Sequence, residues 1–361
     1  MHDERVVIIG PFPEPVHGMS LANSIVLEHY QSEEGLTVKY HDTTLERGIK
    51  NKQEQGRLQI KPLVKGVVNT LQALFYVVKY RKAYFYITPP QSLLGYLRSL
   101  PIILLASYCG KRTVIHFHGA RFAEHYKKAS FGFRWLIDCS LKKVSKVILL
   151  GQSIADSHRS VIPLSKISVC HNGVPFSDSN DLPAERAVTN LLFLSNLMKD
   201  KGVFDFFDAI EILDAGKFEV HIAGAIESQY QQEIEDRLAM LADKVTYHGV
   251  VSGNKKQQLF ENSDIFVLPS YDEGQPLSIL EAYAYGCAVV TTDVGGIPDI
   301  FKSGTNGELC QINTPSSIAN AIFTILNNGL KNYSMYNRKK AKSDFSELAF
   351  FQRIDQIIRG K

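Results

Sequence analysis

Short runs of β-branched and aromatic residues alternate with stretches of helical periodicity along the chain. In the first half, this pattern predicts strands at 6–10, 37–41, 84–88, 113–117, 147–150 and 167–170. The helices predicted between them lie at 20–30, 63–80, 92–108 and 133–144. Strands separated by helices of this length form βαβ units, so we expect a mostly parallel sheet.

A second series of the same kind follows a turn cluster at 171–175 and a polar stretch at 177–190. Its predicted strands are 191–195, 219–223, 245–247, 265–268 and 288–292, and its helices are 203–213, 228–241, 255–261 and 276–285. We therefore predict an α/β protein with two Rossmann-like, doubly wound domains. They are an N-terminal domain at 1–175, a linker at 176–190, a C-terminal domain at 191–330 and a helical tail at 331–361. Such domains bind ligands at the carboxyl ends of their strands, and two in series are expected to face each other across a cleft.

The composition is that of an ordinary globular protein. The chain has 361 residues, 45% of them apolar and 21% charged, which excludes a collagen-like, disordered or disulfide-dense protein. No apolar run reaches the roughly 18–20 residues that a spanning helix needs, and the first residues lead directly into a strand, so we expect no secretory signal. The five cysteines are scattered without a C-x-x-C pair, which is typical of reduced thiols in the cytosol.

The charges are distributed unevenly along the chain. Residues 1–180 carry 23 Lys and Arg against 13 Asp and Glu, residues 181–330 carry 9 against 21, and residues 331–361 carry 8 against 3. Such blocks suggest different partners for the two domains. Nucleic acid is not expected, because the sequence has no basic stripe interleaved with stacking aromatics and no zinc-finger spacing. An anionic membrane surface or a phosphorylated ligand explains the basic block equally well.

The segment after the predicted strand 265–268 contains an anion-binding pattern. Pro276 suits the first position of a helix, and the backbone N–H groups of Gly274, Gln275 and Leu277 would then point out of the helix N-terminus. Such a terminus binds phosphate groups readily, because its N–H groups lack partners within the helix.

Two carboxylates accompany this predicted helix terminus. Glu273 precedes the helix and Glu281 lies eight residues further on, roughly 12 Å away on nearly the same face. That is about the distance from a sugar to a ribose across a diphosphate, so the pair fits a nucleotide-sugar. The alternative is that Glu273 caps the helix and Glu281 is a solvated surface charge.

Two further loops follow predicted strands at the same edge of the sheet. The loop at 195–202 contains Lys201, which can reach a phosphate, and Gly202, which permits close backbone approach. The loop at 293–299 is also rich in glycine. Three such loops at one sheet edge favour a binding site over three unrelated turns.

With these motifs in place, the sequence resembles the retaining glycosyltransferases of family 4, which have the GT-B fold. The resemblance covers 192–326, most of the predicted C-terminal domain. The motifs that carry it are KG at 201–202, IAG at 222–224, YHGV at 247–250, DIFVLPS at 264–270, the pair Glu273 and Glu281, and VGGIP at 294–298.

The resemblance implies transfer of a sugar from a nucleotide diphosphate donor with retention of anomeric configuration. Glu273 is then expected to contact the donor sugar, Glu281 the ribose and Lys201 the diphosphate. The backbone from Gly274 through Gln275 and Pro276 to Leu277 is expected to contact the sugar and phosphate. Many members of the family have an arginine where this chain has Asn196, so one cationic phosphate contact is absent or supplied from elsewhere.

The predicted N-terminal domain resembles the family in two short segments. The loop at 10–20 is similar to the family's glycine-containing loop over the donor phosphates, and Gly18 is the expected contact; the alternative is a rigid proline-rich turn. His118 matches the histidine that lies beside the reacting sugar in the family. We expect His116 to point to the opposite face of the strand and to pack in the core.

The resemblance implies no assured enzymic nucleophile, and the usual proposal for the family is same-face attack with the departing phosphate as base. The protein then stabilises charge on the leaving diphosphate through Lys201 and the predicted helix N-terminus. No metal and no other cofactor is expected, because no D-x-D pair follows a strand and no His/Cys cluster has ligand spacing.

Taken together, these features predict a hexosyl- or N-acetylhexosaminyltransferase that uses a nucleotide-sugar, with UDP expected on family frequency. The expected acceptor is a glycan carried on a polyprenyl diphosphate during synthesis of bacterial O-antigen, lipopolysaccharide or capsule. The predicted location is the inner face of the cytoplasmic membrane, as a peripheral protein. Two alternatives remain open: a nucleotide-sugar 2-epimerase of the same fold, and a non-catalytic binding subunit.

Overall fold

The computed structural model describes residues 4–14, 17–44, 60–178, 188–214 and 216–360, with side chains from residue 64 in the second helix. The chain divides into two compact units. The first contains the described residues up to Asn172 and those from Phe350 onward, and the second runs from Gly173 to Ala349. Residues 179–187 of the predicted linker lie outside the described residues, as do Pro15 and Val16 of the loop before Gly18.

The first unit is a six-stranded parallel sheet with helices on both faces. In chain order its elements are β1 (Glu4–Gly10), α1 (Gly18–Gln31), β2 (Leu36–Asp42), α2 (Ile60–Lys79), β3 (Tyr84–Ile87), α3 (Leu93–Cys109), β4 (Arg112–His116), α4 (Phe122–Lys128), α5 (Phe131–Lys143), β5 (Lys146–Leu149), α6 (Gln152–His158) and β6 (Ile167–Val169). The strand order is β2-β1-β3-β4-β5-β6, so the chain reverses its direction of winding between β1 and β3.

Two apolar layers hold this sheet in place. On one face, α2, α3, α4, α5 and α6 pack on residues such as Ile9, Phe85 and Ile115. On the other face, α1 and the last helix of the chain pack on Ile8 and Val114. Strands that are covered on both faces need continuous apolar runs. The apolar runs in the first half of the sequence therefore predicted these strands correctly.

The second unit repeats this architecture. Its elements are β7 (Thr189–Leu194), α7 (Val203–Ile212), β8 (Phe218–Ala223), α8 (Gln231–Met240), β9 (Val245–Tyr247), α9 (Gly253–Glu261), β10 (Ile265–Leu268), α10 (Leu277–Ala284), β11 (Ala288–Thr291), β12 (Gly307–Leu309), α11 (Pro315–Asn328), α12 (Leu330–Lys340) and α13 (Glu347–Arg359). The parallel strand order is β12-β11-β10-β7-β8-β9, which reverses between β7 and β10. The predicted class, two Rossmann-like α/β domains, is confirmed.

Several elements were not predicted. The structure adds β12 at the edge of the second sheet, together with the helices α4, α6 and α11. The predicted helical tail contains α12, a π-helical turn at Ala341–Phe345 and α13. The division between the units falls within α13, because its residues from Phe350 onward group with the first unit.

A buried ion-pair network fixes α13 in the first unit. The Arg359 guanidinium is 4% exposed and donates to both carboxylate oxygens of Glu33 at 2.7 Å. It also pairs with Asp355, which accepts a hydrogen bond from Tyr30 Oη at 2.8 Å. Among the described residues, no helix has both the length and the apolar character needed to cross a membrane.

Candidate functional site

The switch point of the second sheet is where a doubly wound fold is expected to bind its ligand. Strands β7 and β10 are neighbours there, and the loops that follow them contain Lys201 and Glu273 respectively. Strand β11 lies on the other side of β10, and its loop contains Gly295. The three loops predicted to form a site therefore follow three adjacent strands.

Two glycines allow these loops to touch one another. Gly202 has a φ of +72°, and a Cβ there would lie 2.1 Å from the carbonyl oxygen of Pro269. Gly295 has a φ of +56°, and a Cβ there would lie 1.7 Å from the carbonyl oxygen of Glu273. Both distances are far below van der Waals contact, so only glycine fits at either position. The loops after β7, β10 and β11 are consequently packed backbone against backbone.

Lys201 and Glu273 form an ion pair within this packed set. The ammonium group of Lys201 donates to Glu273 Oε1 at 2.7 Å, and the hydroxyl of Ser270 donates to the same oxygen at 2.8 Å. The Glu273 side chain is 8% exposed and that of Lys201 is 24% exposed. Both hydrogen bonds end on Oε1, so within the described part of the chain Oε2 is the oxygen left to accept from a ligand hydroxyl.

Glu281 forms a second ion pair with a lysine that sequence reasoning missed. Lys256 in α9 donates to Glu281 Oε1 at 2.6 Å, and the Glu281 side chain is 14% exposed. Burial raises the pKa of Glu281, and the charge of Lys256 opposes that rise. The lysine thus favours the ionised carboxylate, which accepts hydrogen bonds only. Because 25 residues separate the two side chains, only the tertiary fold reveals their pairing.

These two pairs contradict the simpler interpretation of the carboxylates. Glu273 was open to interpretation as a helix cap and Glu281 as a solvated surface charge. The structure instead gives each glutamate a lysine partner and buries most of its surface. A mostly buried charge is costly without a partner, and the lysine in each pair supplies that partner.

The N-terminus of α10 lies between the two glutamates in sequence. Pro276 is the N-cap residue rather than the first helical residue as predicted, and the helix begins at Leu277. A proline side chain has no oxygen to accept from the first N–H groups, so those donors remain suited to an anion. Gln275 is buried, Gly274 is half-buried and Asn196 is exposed. Their contact with a donor stays a prediction.

In the first unit, the two histidines near the end of β4 lie side by side. The rings of His116 and His118 are 3.9 Å apart between centroids, so the expectation that they occupy opposite faces is wrong. Residues two apart in a strand share a face, and the extended backbone continues past β4. His116 is fully buried, as expected, and its Nδ1 is hydrogen-bonded to Tyr86 Oη at 2.7 Å.

Burial sets the protonation state of this pair. It lowers the pKa of His118 to about 3, against the opposing effect of the nearby Asn172 side chain. Burial also lowers the pKa of His116 well below its usual value. His118 is therefore a neutral imidazole at physiological pH, which offers one N–H donor and one acceptor nitrogen.

Gly18 lies where the sequence predicts, at the first residue of α1. His17 is the N-cap residue, and its Nδ1 accepts a hydrogen bond from the backbone N–H of Ser20 at 3.3 Å. The Ser20 hydroxyl in turn accepts from the backbone N–H of His17 at 2.9 Å. This reciprocal cap defines the entry of the helix, while contact of Gly18 with a phosphate remains a prediction.

Metal ligands are the remaining element of the sequence-based prediction. Among the described residues, the structure contains no cluster of three or more His, Cys, Asp or Glu side chains arranged to hold a metal ion. The positive charge near the switch point of the second sheet comes from Lys201 and Lys256.

Solved structures with the same fold include that of an Anabaena protein in complex with UDP and glucose. The superposition has a TM-score of 0.73 at 15% sequence identity and covers 99% of this chain and 100% of the Anabaena chain. The predicted GT-B fold is thus confirmed.

The sequence of the second unit matches a family of known proteins. Residues 188–328 match the family described as "Glycosyl transferases group 1". This segment thus has the resemblance to the family 4 glycosyltransferases that the motifs at 192–326 predicted.

The curated proteins to which this chain is similar include two glycosyltransferases. An uncharacterised glycosyltransferase of Methanocaldococcus jannaschii is 28% identical over 54% of each chain. The N,N'-diacetylbacillosaminyl-diphospho-undecaprenol alpha-1,3-N-acetylgalactosaminyltransferase of Campylobacter jejuni is 28% identical over 38% of this chain and 35% of its own length. The chain thus spans about half the length of the curated relatives it matches, or less.

Proposed function

We propose that this protein is a retaining glycosyltransferase that transfers a sugar from a nucleotide diphosphate donor. The observation that carries the proposal is the 2.7 Å pair of Lys201 and Glu273 at the sheet's switch point, next to the α10 N-terminus. Glu281 lies further along α10 and pairs with Lys256 of α9. This arrangement supplies cationic and N–H donors for a diphosphate and a carboxylate acceptor on either side.

The proposed reaction follows from where charge develops. The bond from the sugar to the diphosphate breaks, and the acceptor oxygen bonds to the same face of the sugar. The departing diphosphate oxygen takes the acceptor's hydroxyl proton. Lys201 and the N–H groups of α10 stabilise the negative charge on the leaving group, and this stabilisation is strongest in the transition state. Glu273 Oε2 accepts a hydrogen bond from a donor-sugar hydroxyl and orients the ring.

His118 is proposed to contact the reacting sugar. Because burial lowers its pKa to about 3, it works as a neutral imidazole and not as a cation. It can donate one hydrogen bond to a sugar hydroxyl without placing a positive charge beside the anomeric carbon. Gly18 is proposed to lie over the donor phosphates through its backbone.

The donor and acceptor are proposed from the relatives and the charge pattern. UDP is the proposed nucleotide, in line with the UDP and glucose complex of the Anabaena protein. The proposed acceptor is a saccharide on a polyprenyl diphosphate, as the name of the Campylobacter enzyme describes for that protein. We place such a reaction in bacterial surface-polysaccharide synthesis, at the anionic inner face of the cytoplasmic membrane.

Two alternatives lead to different products. An epimerase of the same fold would convert the sugar of the donor into its isomer and release the isomerised donor as the product. A binding subunit would hold the nucleotide without turnover. The Lys201–Glu273 pair favours transfer, since it provides both leaving-group stabilisation and sugar orientation.

The test is incubation of the purified chain with single nucleotide-sugars, with analysis of nucleotide and sugar products. We expect free UDP from one UDP-sugar, and its yield should increase when a lipid-linked or short-chain glycan acceptor is added. Glu273→Gln should abolish most of this release, whereas Glu219→Gln at an exposed position of β8 should not. Isomerised sugar would indicate an epimerase, and UDP binding without release would indicate a binding subunit.

A further inference from the structure

Helix α2 presents a continuous apolar stripe to solvent. The stripe consists of Val64, Val67, Val68, Leu71, Phe75 and Val78, whose exposed fractions range from 47% at Val68 to 64% at Phe75. Their spacing of three and four residues places them on one side of the helix over four turns. Ala73 and Val77 on the opposite side are fully buried in the core of the first unit.

The exposure is not confined to one helix of this layer. Helices α3 and α5 cover the same face of the sheet as α2, and they too expose large apolar side chains. The fractions are 79% for Leu94, 87% for Tyr108, 86% for Phe131 and 59% for Trp135. Apolar residues that are exposed singly are normal on a protein surface, whereas an apolar surface of this extent usually marks an interaction site.

The charged residues that neighbour the stripe along the sequence are all basic. Residues 55–123 contain ten Lys and Arg and no Asp or Glu. Within the described residues Lys65 and Lys79 lie along one border of the stripe, and Arg81 and Lys82 follow the end of the helix, all of them exposed. An apolar stripe with lysines along one border is complementary to a surface that combines an apolar interior with negative groups.

We propose that this face of α2 docks on an anionic lipid bilayer. The apolar stripe enters the boundary between headgroups and acyl chains, and the lysines and arginine contact anionic headgroups. The helix lies in the plane of the membrane and does not cross it. This inference rests on the proposed function in one respect: the lipid-linked acceptor is the reason for this protein to bind a membrane.

The choice of lipid over a protein partner follows from the charge and the shape of this surface. Val68, Leu71 and Phe75 also border a cavity next to His41, so this surface is not a smooth ridge. A protein partner would have to match that relief and carry acidic groups. A fluid bilayer adapts to it, and the basic residues gain from the negative potential of anionic lipids. That potential extends only about a Debye length, so salt should weaken the interaction.

Vesicle sedimentation of the full chain tests the proposal. We expect binding to vesicles of phosphatidylglycerol and phosphatidylcholine, at least about tenfold weaker binding to pure phosphatidylcholine, and a steep loss with salt. The double substitution Leu71→Asn with Phe75→Asn should lower binding to anionic vesicles by about tenfold or more. Lys65→Glu with Lys79→Glu should remove the preference for anionic lipid.

Matched controls come from the second unit. Ile212→Asn with Met240→Asn alters side chains that are 51% and 73% exposed, and it should leave vesicle binding unchanged. Lys217→Glu with Lys302→Glu changes the net charge by the same amount at exposed positions and should likewise have no effect. Far-UV circular dichroism checks that each variant is folded.

Fluorescence locates the contact directly, because Trp135 is the single tryptophan of the chain. In a Trp135→Phe background, Phe75→Trp should show a blue-shifted emission on anionic vesicles, whereas Met240→Trp should not. Wild-type protein that binds no vesicle, or an Asn variant that binds like wild type, overturns the proposal. Vesicle binding without sugar transfer would contradict the proposed function and leave this inference standing.

Discussion

Two lysine substitutions should separate the two ends of the candidate site. Lys201 pairs with Glu273 at 2.7 Å, and Lys256 pairs with Glu281 at 2.6 Å. We expect Lys201→Met to lower kcat for sugar transfer and Lys256→Met to raise KM for the donor. The reason is that the leaving diphosphate gains charge only in the transition state, whereas contacts to the ribose are equally strong in the ground state.

The magnitudes follow from the burial of the two pairs. At 2.7 Å and an effective dielectric constant of about 20, the bare attraction is about 6 kcal/mol, most of which desolvation cancels. Loss of one donor to developing charge costs about 3 kcal/mol, so Lys201→Met should lower kcat about a hundredfold. Loss of Lys256 should raise KM about tenfold, or by about 1.4 kcal/mol, with kcat little changed.

The pH dependence adds a second readout for Lys256. Burial raises the pKa of Glu281 and Lys256 opposes the rise, so removing the lysine lets that pKa rise further. A protonated Glu281 loses one acceptor, and the increase in KM should therefore be largest at low pH and shrink as pH rises. Initial rates across donor concentrations and pH measure both effects, with Lys217→Met as the control. Near-wild-type turnover of Lys201→Met at saturating donor, or the same kinetic change in both variants, would refute the assignment.

Three further predictions concern metal, acid stability and the last helix. Transfer should continue in excess EDTA, since Lys201 and the α10 N-terminus supply the positive charge; complete loss that a single divalent metal restores would contradict this. Folding lowers the pKa of His118 from 6.5 to about 3. As the pH drops below 6.5, the unfolded chain therefore binds a proton at His118 before the folded chain does, and the free energy of unfolding decreases. Near pH 5, His118 should contribute a slope of about 1.4 kcal/mol per pH unit to the free energy of unfolding, and urea denaturation of His118→Gln should show that this contribution is lost. An unchanged slope would locate the acid sensitivity elsewhere. Arg359→Met leaves the carboxylates of Glu33 and Asp355 without their shared cation, and urea denaturation should show a loss of about 3 kcal/mol.

The sheets could be predicted from the sequence because their central strands are buried on both faces. Every strand predicted from an apolar run is present, within a residue or two at its ends. The edge strand β12 escaped prediction because its residues, Gly307–Leu309, include a glycine and a glutamate and form no apolar run. Helix α11 was overlooked although Pro315 begins it and Ile318, Ile322 and Ile325 have helical spacing.

The candidate site was only partly predictable for a different reason. Lys201 and Glu273 were named because each follows a strand, and parallel strands bring their carboxyl ends to one edge. Lys256 comes from a helix flanking the sheet, and nothing in its local sequence distinguishes it from a solvated lysine. The expectation for His116 misapplied the strand period, because His116 lies two residues before His118 and therefore shares its face. The depressed pKa of His118 depends on burial by distant segments and has no local signal.

The backbone contacts at Gly202 and Gly295 have a consequence for protein engineering. A change of donor specificity is usually sought by exchanging single loops between related enzymes. Here the loop after β7 rests on the carbonyl of Pro269, and the loop after β11 rests on the carbonyl of Glu273. A single loop transplanted from a relative therefore lacks the neighbouring loops against which its backbone packs. Chimeras whose junctions enclose 195–299 as one block should fold and express better than chimeras joined inside it.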